Sequence, residues 1–214
     1  MACSRIDQVR SIVKAGAAMI LETIVTTINE DNSTNVSPMG PTVMLDAGGN
    51  PQIEQFELRP FNTSRTFANL KRTKMGVMHI TDDAELFARA AVGELLDVPP
   101  VRPAETVTGS ILIGACRSYE FKVEFIDETG PRMSLNCRAV QAHRQRDFLG
   151  FNRAKHAVIE AAILATRLDF LPAEEVQEQF VRLNTIVQKT SGPSELAAMN
   201  LLNDFVQRES QSRA

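Results

Sequence analysis

The stretch ETIVTTINEDNSTNVSPMGP, residues 22–41, decides the fold of the chain around it. From Ile20 onward, polar and apolar residues alternate, which predicts a β-strand. The letters EDNST predict a turn, and NVSPMGP predicts a second strand interrupted by Pro38 and Pro41. Because proline lacks the N–H that a sheet ladder needs, this second strand cannot be a central one. The stretch therefore predicts a β-hairpin whose second strand lies at the edge of a sheet.

Further strands follow the hairpin, and helices come last. The segment DDAELFARAAVG, residues 82–93, predicts a helix with Asp82 as N-cap and Glu85 completing a capping box. A Pro-rich loop over 97–105 separates two groups of strands, and residues 5–14 predict a short amphipathic helix. The other predicted elements are strands over 42–46, 53–59, 74–80, 106–118, 119–128 and 132–143 and helices over 152–168, 173–190 and 193–209. This order is typical of an α+β chain with an antiparallel sheet.

The composition permits a sizeable core and excludes several classes of protein. The chain has 214 residues, of which 43% are hydrophobic. The net charge is −3 with both signs interspersed, so no extended basic surface is expected for nucleic acid or an anionic membrane. No apolar run approaches the roughly 18–20 residues of a membrane helix, and Ala15–Ile20 is too short for a signal peptide. The three scattered cysteines suit a reducing compartment, so we expect a cytoplasmic protein.

No catalytic or metal-binding cluster stands out from the sequence. Cys116 and Cys137 fall in apolar or alternating strands, where buried and inert thiols are expected. His79 and His143 lie at strand ends without an acidic or cysteine partner at metal spacing, so a zinc site is not expected. His156 lies one turn from a glutamate, which favours an ordinary surface pair over an acid–base role. Motifs of nucleophilic hydrolysis and of Rossmann-type cofactor binding are also missing.

A second stretch, LRPFNTSRTFANLKR, residues 58–72, concentrates hydrogen-bond donors. A strand ends at Arg59, Pro60 stops the ladder, and a helical turn begins near Thr66. Free backbone N–H groups, the hydroxyls of Ser64 and Thr66, and an arginine guanidinium match the three oxygens of a terminal phosphate. The alternative is that Ser64 only caps a turn while the arginines are solvated. The residue chemistry alone favours this alternative, because such caps are common.

The segment TNVSPMGP, residues 34–41, is a second candidate site. A strand interrupted by two prolines leaves backbone N–H and C=O groups outside the sheet ladder. Such groups could bind a planar heterocycle. The alternative is an edge strand protected by proline, and this is the better interpretation of the segment in isolation.

Together the motifs resemble a known family. ETIVTTINEDNSTNVSPMGP, ELRPFNTSRTFANL and FNRAKHAVIEAAILATRL, in this order, are similar to an uncharacterised archaeal and bacterial family of flavin mononucleotide (FMN)-binding split-barrel proteins. That family is related to the flavin reductase and pyridoxamine phosphate oxidase group. The resemblance covers about residues 19–205, so residues 1–18 form an N-terminal extension that we expect to be helical.

The resemblance implies a fold, a cofactor and a set of binding residues. The fold is a six-stranded Greek-key split barrel that dimerises and holds one FMN per subunit near the interface. The phosphate would be bound by Arg59, Ser64, Thr66 and Asn69, with Arg65 in reserve. Thr63 and Pro60 would shape the loop. The isoalloxazine edge would be lined by Asn35, Ser37, Met39 and Gly40. We expect Lys71 and Arg72 to be solvated charges.

Three functions remain open at this point. The first is a homodimeric FMN-dependent oxidoreductase of flavin-reductase type, with a nicotinamide or a pterin as substrate and no catalytic side chain of its own. The second is a non-catalytic flavin carrier or sensor. The third is a flavin-free interaction scaffold with a partner surface on its C-terminal helices. The expected domains are the extension 1–18, a split-barrel FMN-binding domain 19–146, and a helical region 147–214 packed on the barrel.

Overall fold

The computed structural model describes residues 17–130 and 132–212. The strands in this part of the chain are β1 (Ala18–Ile20), β2 (Thr23–Ile28), β3 (Thr34–Met39), β4 (Thr42–Leu45), β5 (Pro51–Leu58), β6 (Met75–Ile80), β7 (Val101–Pro103), β8 (Ser110–Leu112), β9 (Arg117–Asp127) and β10 (Ser134–Arg144). The helices are α1 (Arg65–Thr73), α2 (Ala84–Ala91), α3 (Arg153–Ala165), α4 (Ala173–Thr190) and α5 (Pro193–Ser212). The helix predicted over residues 5–14 lies outside the described residues.

Eight strands form one antiparallel sheet in the order β1-β4-β5-β10-β9-β6-β2-β3. Strand β3 pairs with β2, from Thr23 opposite Met39 to Ile28 opposite Thr34. Because β3 is the last strand of the sheet, it accommodates Pro38 without interrupting a ladder on its outer side. The predicted edge hairpin is confirmed.

The sheet curls until its two ends approach each other. Strands β3 and β4 follow one another in the chain with only Gly40 and Pro41 between them, yet they lie far apart in the strand order. The Leu21 N–H donates to the Pro41 carbonyl at 3.1 Å, and a Cβ on Gly40 would lie 2.9 Å from Ile20 Cγ2. The chain thus crosses between the two walls of an open barrel at Gly40. The α+β class and the antiparallel split barrel with C-terminal helices are confirmed.

The number of strands differs from the expected six. The described residues contain eight strands in the main sheet and a separate pair, β7 and β8, with Val101 opposite Leu112. Strand β7 falls inside the segment predicted as a Pro-rich loop. Three residues carry too little periodicity to predict such a strand, and Pro103 is tolerated because the pair has only two strands.

The interior of the curled sheet is an apolar core closed at one end by α1. The core surrounds Phe121, which meets Phe56 edge-to-face at 5.3 Å between ring centroids. Phe67 and Leu70 of α1 pack into the same cluster. Gly76 of β6 is required beside it, because a Cβ there would lie 2.7 Å from Phe121 Cζ. Helix α1 is therefore fixed against the end of the barrel by its apolar side.

The outer face of the sheet is covered by the β7–β8 pair and by the remaining helices. Val107 and Ile111 pack on Val77 of β6. Helices α2 to α5 share an alanine-rich core, and Val36 of β3 packs against the cluster that contains Phe87 of α2. No helix in the described residues is long and apolar enough to cross a membrane.

The start of α2 departs from the predicted cap. Asp83 rather than Asp82 is the N-cap, and its carboxylate accepts the Leu86 N–H at 2.9 Å. The Asp82 carboxylate instead binds the Arg146 guanidinium, while Lys155 of α3 donates to the Asp82 carbonyl at 2.6 Å. Two adjacent aspartates satisfy the same sequence pattern, and the ion pair with Arg146 decides between them.

Candidate functional site

The donor-rich stretch forms a tight loop followed by α1. Ser64 is the N-cap of this helix, and its hydroxyl accepts the Phe67 N–H at 3.1 Å and donates to the Phe61 carbonyl at 2.8 Å. The cap that the sequence offered as an alternative is therefore present. The N–H groups of Arg65 and Thr66 belong to the first turn, so they have no acceptor within the helix. These two groups and the helix dipole favour an anion at this point.

Buried and half-buried amide and hydroxyl groups join α1 to the edge hairpin. Asn35 of β3 donates to Thr66 Oγ1 and to Thr27 Oγ1, at 3.1 Å in each case. Asn69 donates to the same Thr27 hydroxyl at 3.0 Å and to Asn29 Oδ1 at 2.8 Å. Each buried bond is worth about 0.5–1.5 kcal/mol, and breaking one leaves a partner that costs about 1–3 kcal/mol. We call these five side chains the Asn35–Asn69 network.

The predicted ring-binding residues share one face of β3. Side chains alternate along a strand, so Asn35, Ser37 and Met39 lie on the same face. Met39 packs against the interior core that Phe67 of α1 also joins. The two predicted motifs therefore meet in the structure, through Asn35 and the helix.

Two other predicted residues lie outside the network. Arg59 is exposed at the end of β5, 3.8 Å from the Glu57 carboxylate. Thr63 is exposed in the loop before Ser64. Among the described residues, no hydrogen bond joins either side chain to Thr66 or Asn35. Their donors face solvent, unlike those of the network.

The basic residues of α1 are more engaged than expected. Arg72 donates to the Ile28 carbonyl, so it ties α1 to β2 rather than being only solvated. Lys71 lies 2.7 Å from the Glu128 carboxylate and 5.7 Å from the centre of the Phe67 ring. The expectation of solvated charge is wrong for Arg72, because the helix passes close to the end of β2.

Sequence reasoning missed one basic residue beside the loop. The guanidinium of Arg132 lies over the Phe61 ring, 4.3 Å from its centre. The Met133 N–H donates to the Pro60 carbonyl at 3.2 Å, which holds the two segments together. No local motif marks Arg132. The pairing of β10 with β5 brings it here, and only the register of that pairing could have revealed it.

A buried carboxylate lies on the outer face of the sheet. Glu120 of β9 is fully buried and accepts the N–H groups of Glu105, Thr106 and Val107 at 2.8, 2.6 and 2.9 Å. His143 Nε2 lies 2.7 Å from the same carboxylate. Burial raises the pKa of Glu120, but these bonds outweigh burial and keep the pKa below its usual value. Glu120 thus fixes the β7–β8 loop as an anion.

His79 is held as a neutral ring. It is fully buried, with Nδ1 3.1 Å from the Ile24 carbonyl and Nε2 3.0 Å from the Leu112 N–H. The first nitrogen therefore donates and the second accepts. Burial lowers the pKa of His79 to about 4, although the bond to Ile24 acts in the opposite direction. No group of three His, Cys, Asp or Glu side chains in the described part of the chain could hold a metal.

The two cysteines in the described residues are buried and free, as expected. Burial is the largest cause that raises the pKa of both Cys116 and Cys137. Two open grooves lie elsewhere, on the helices. One, of about 510 Å³, includes Arg208, and the other, of about 600 Å³, includes Phe180. Neither groove is lined by α1 or β3.

The chain matches two sequence models of one family. The N-terminal domain model of the protein of unknown function DUF447 matches residues 21–146, and the C-terminal model matches residues 152–204. The chain belongs to the DUF447 family. The resemblance to a family of split-barrel flavoproteins is thus confirmed at the level of the family.

A solved structure from the DUF447 family shares the fold. It is an FMN-bound protein from Methanosarcina mazei, 22% identical, which matches 92% of this chain and 99% of its own with a TM-score of 0.73. Shorter matches include an FMN-binding protein from Thermus thermophilus, 17% identical over 60% of this chain and 72% of its own, TM-score 0.46. Another is a flavoredoxin from Methanosarcina acetivorans, 13% identical over 62% and 72%, TM-score 0.48. At 22% identity the likeness to the Methanosarcina mazei protein supports a shared fold for this DUF447 member.

The residues predicted to bind the FMN phosphate fall into two groups, according to whether their polar groups are already bonded within the protein. Ser64 and Asn69 donate to internal acceptors, and the Thr66 hydroxyl accepts the Asn35 amide, so all three take part in internal bonds of the loop and helix. The N–H groups of the first turn, Thr63 and the Arg59 guanidinium retain free donors. Backbone N–H groups, a hydroxyl and a guanidinium are the donors that suit a phosphate. The site thus fits the group, with fewer side-chain contacts than the sequence motif offers.

Proposed function

We propose that this protein is a cytoplasmic, homodimeric FMN-binding flavoprotein, and an oxidoreductase of flavin-reductase type. The observation that carries the proposal is the Asn35–Asn69 network, which fixes the helix start of the phosphate motif against the edge strand of the ring motif. The FMN-bound structure from the same family, similar over 92% of this chain, supports the choice of cofactor.

The phosphate group would lie at the start of α1. The N–H groups of Arg65 and Thr66 point along the helix axis, where the dipole favours negative charge. Arg59 and Thr63 supply exposed donors from the loop, and Arg65 remains the reserve. In this proposal Ser64 keeps its role as the cap that holds the turn open toward the ligand.

The isoalloxazine ring would lie along β3. As the last strand of the sheet, β3 has backbone N–H and C=O groups directed away from β2. These groups suit the polar edge of a planar heterocycle, while Met39 offers an apolar contact and Ser37 a hydroxyl. Asn35 offers only its amide oxygen, because its amide N–H groups are bonded to Thr27 and Thr66. Gly40 follows β3 and has no side chain that could cover this edge. The second copy of a dimer would complete the open side.

Bound FMN supplies hydride or single-electron chemistry that no side chain of the described residues supplies. The protein's part is to bind, orient and shield the ring. A reduced nicotinamide or a pterin is the exchange partner that we propose. The division into the extension 1–18, the barrel 19–146 and the helical region 147–214 remains part of this proposal.

The binding of FMN is tested by titration of the purified full chain with FMN and with riboflavin. We expect saturable FMN binding and a yellow protein. Arg59→Ala should weaken FMN by about 1.5–3 kcal/mol and leave riboflavin unchanged, because only FMN carries the phosphate. Arg138→Ala is the matched control, since Arg138 is an exposed arginine paired with Glu124 on another part of the sheet. If the titration shows no saturable FMN binding, the proposed flavoprotein function is wrong and the flavin-free scaffold is favoured.

Enzyme and carrier are separated by anaerobic mixing of the FMN-loaded protein with NADH or NADPH. Loss of the visible flavin absorption within the mixing experiment supports a nicotinamide-linked reductase. Persistence of the oxidised spectrum, with FMN still bound, favours the carrier. Sedimentation of the same sample tests the dimer.

A further inference from the structure

Two arginines beside the loop before α1, Arg59 and Arg132, lack a close carboxylate partner among the described residues. The closest carboxylate to Arg59 is Glu57, at 3.8 Å, and that carboxylate already accepts a bond from Ser134. Among residues 17–130 and 132–212, no carboxylate forms an ion pair with Arg132. Lys71, by contrast, has a close acidic partner. The guanidinium groups of Arg59 and Arg132 therefore carry positive charge that faces solvent here, in addition to the exposed Arg65.

Arg132 is held in place by an aromatic ring. Phe61 is 53% exposed, and the guanidinium of Arg132 lies over it at 4.3 Å. The Phe61 carbonyl is fixed by the Ser64 N–H at 3.0 Å and by the Ser64 hydroxyl at 2.8 Å. The Pro60 carbonyl is fixed by the Met133 N–H. The pair is thus anchored from both segments, although it lies at the surface.

An arginine held in this way has two binding modes free. Its outer face can stack on a planar base, and its edge N–H groups can bind a phosphate in a bidentate manner. A single FMN phosphate at the start of α1 requires the helix N–H groups and one guanidinium. If Arg59 binds that phosphate, Arg132 is free to bind a second anion that lies next to a base.

We propose that Arg132, positioned by Phe61, binds the 2′-phosphoadenosine part of a phosphorylated nicotinamide dinucleotide. The base stacks on the outer face of the guanidinium, and the 2′-phosphate accepts its edge N–H groups. The inference rests on the proposed function, because the dinucleotide is the reductant proposed there. It adds a preference for the phosphorylated form over the unphosphorylated one.

Calorimetric titration of the full chain with adenosine 2′,5′-bisphosphate and with adenosine 5′-monophosphate tests this site without any turnover. The wild type should bind the bisphosphate about ten-fold more tightly, or better, because only the bisphosphate carries the 2′-phosphate. Arg132→Ala should remove this discrimination. Arg132→Lys should restore part of it, since the charge returns without the planar fork. Phe61→Leu should weaken both nucleotides, and Arg138→Ala should change neither.

FMN titrations of the same variants separate this proposal from the preceding one. Unchanged FMN affinity in Arg132→Ala, with lost discrimination between the two adenosine phosphates, supports the site. A wild type that binds both adenosine phosphates equally, or neither, overturns it whether or not FMN binds. Weakened FMN with unchanged bisphosphate binding also overturns it, because Arg132 would then belong to the FMN phosphate. Absence of FMN binding contradicts only the proposed function. Discrimination between the two adenosine phosphates would still support the Arg132 site, and its absence would still overturn that site.

Discussion

Replacement of His79 by glutamine should change how the stability of this protein depends on pH. The ring is fully buried and donates from Nδ1 to the Ile24 carbonyl while Nε2 accepts the Leu112 N–H. A proton added at Nε2 would oppose that N–H and place a charge in the core. The glutamine side chain can still accept the Leu112 N–H through its amide oxygen, but it does not titrate.

The magnitude follows from the two pKa values of His79. In the folded protein its pKa is lowered to about 4, compared with 6.5 for an unperturbed histidine. Between these values the unfolded chain takes up a proton and the folded protein does not, so folding stability falls as pH falls. The contribution is fully present above about pH 6.5 and decreases through the window down to about pH 4. At about pH 4.5 the loss amounts to roughly 2.5 kcal/mol, at about 1.4 kcal/mol for each pKa unit.

Urea unfolding of the wild type and of His79→Gln at several pH values between about 7.5 and 4.5 measures this effect. Over that range the wild type should lose about 2.5 kcal/mol of stability relative to His79→Gln. The exposed His156 provides the control, since His156→Gln should follow the wild-type curve. Parallel curves for the wild type and His79→Gln would refute the assignment of a neutral buried ring.

Three further substitutions test the packing around the site. Glu120→Gln should destabilise the fold by about 3 kcal/mol, because an amide cannot accept every bond that the buried carboxylate accepts. Hydrogen exchange should become faster in the β7–β8 loop. The exposed control Glu124→Gln should change neither the stability nor the exchange rate. Gly76→Ala should cost about 1–3 kcal/mol in urea unfolding, since its Cβ would lie 2.7 Å from Phe121 Cζ, and a wild-type midpoint would contradict that contact. Asn69→Leu should cost about 1–3 kcal/mol and weaken FMN together with riboflavin, whereas a loss confined to FMN would place Asn69 on the phosphate.

The edge hairpin could be predicted because its signals are local. The alternation before Asn29, the turn and the prolines each act within a few residues. The observed pairing of β2 with β3 agrees with these local signals. The donors around Ser64 could be recognised for the same reason. Whether a hydroxyl is free or committed was not predictable, since Thr66 meets its partner from a strand 31 residues away.

The remainder of the site depends on register. Arg132 reaches Phe61 only through the pairing of β10 with β5, and His143 reaches Glu120 only through the pairing of β10 with β9. A shift of β10 by one residue would turn His143 to the opposite face and would move Arg132 away from Phe61. The choice of Asp83 over Asp82 as a cap is of the same kind, because a distant arginine decides it.

The pairing of β5 with β10 has a consequence for the order in which the protein forms. Glu57 and Ser134, which are bonded across this pair, are 77 residues apart in the chain. Closing so long a loop costs entropy before any contact repays it, and such non-local pairings slow folding. During synthesis on the ribosome, the residues of the hairpin and of α1 are made long before those of β10. The loop that carries Phe61 therefore lacks its arginine neighbour until about three fifths of the chain has been made.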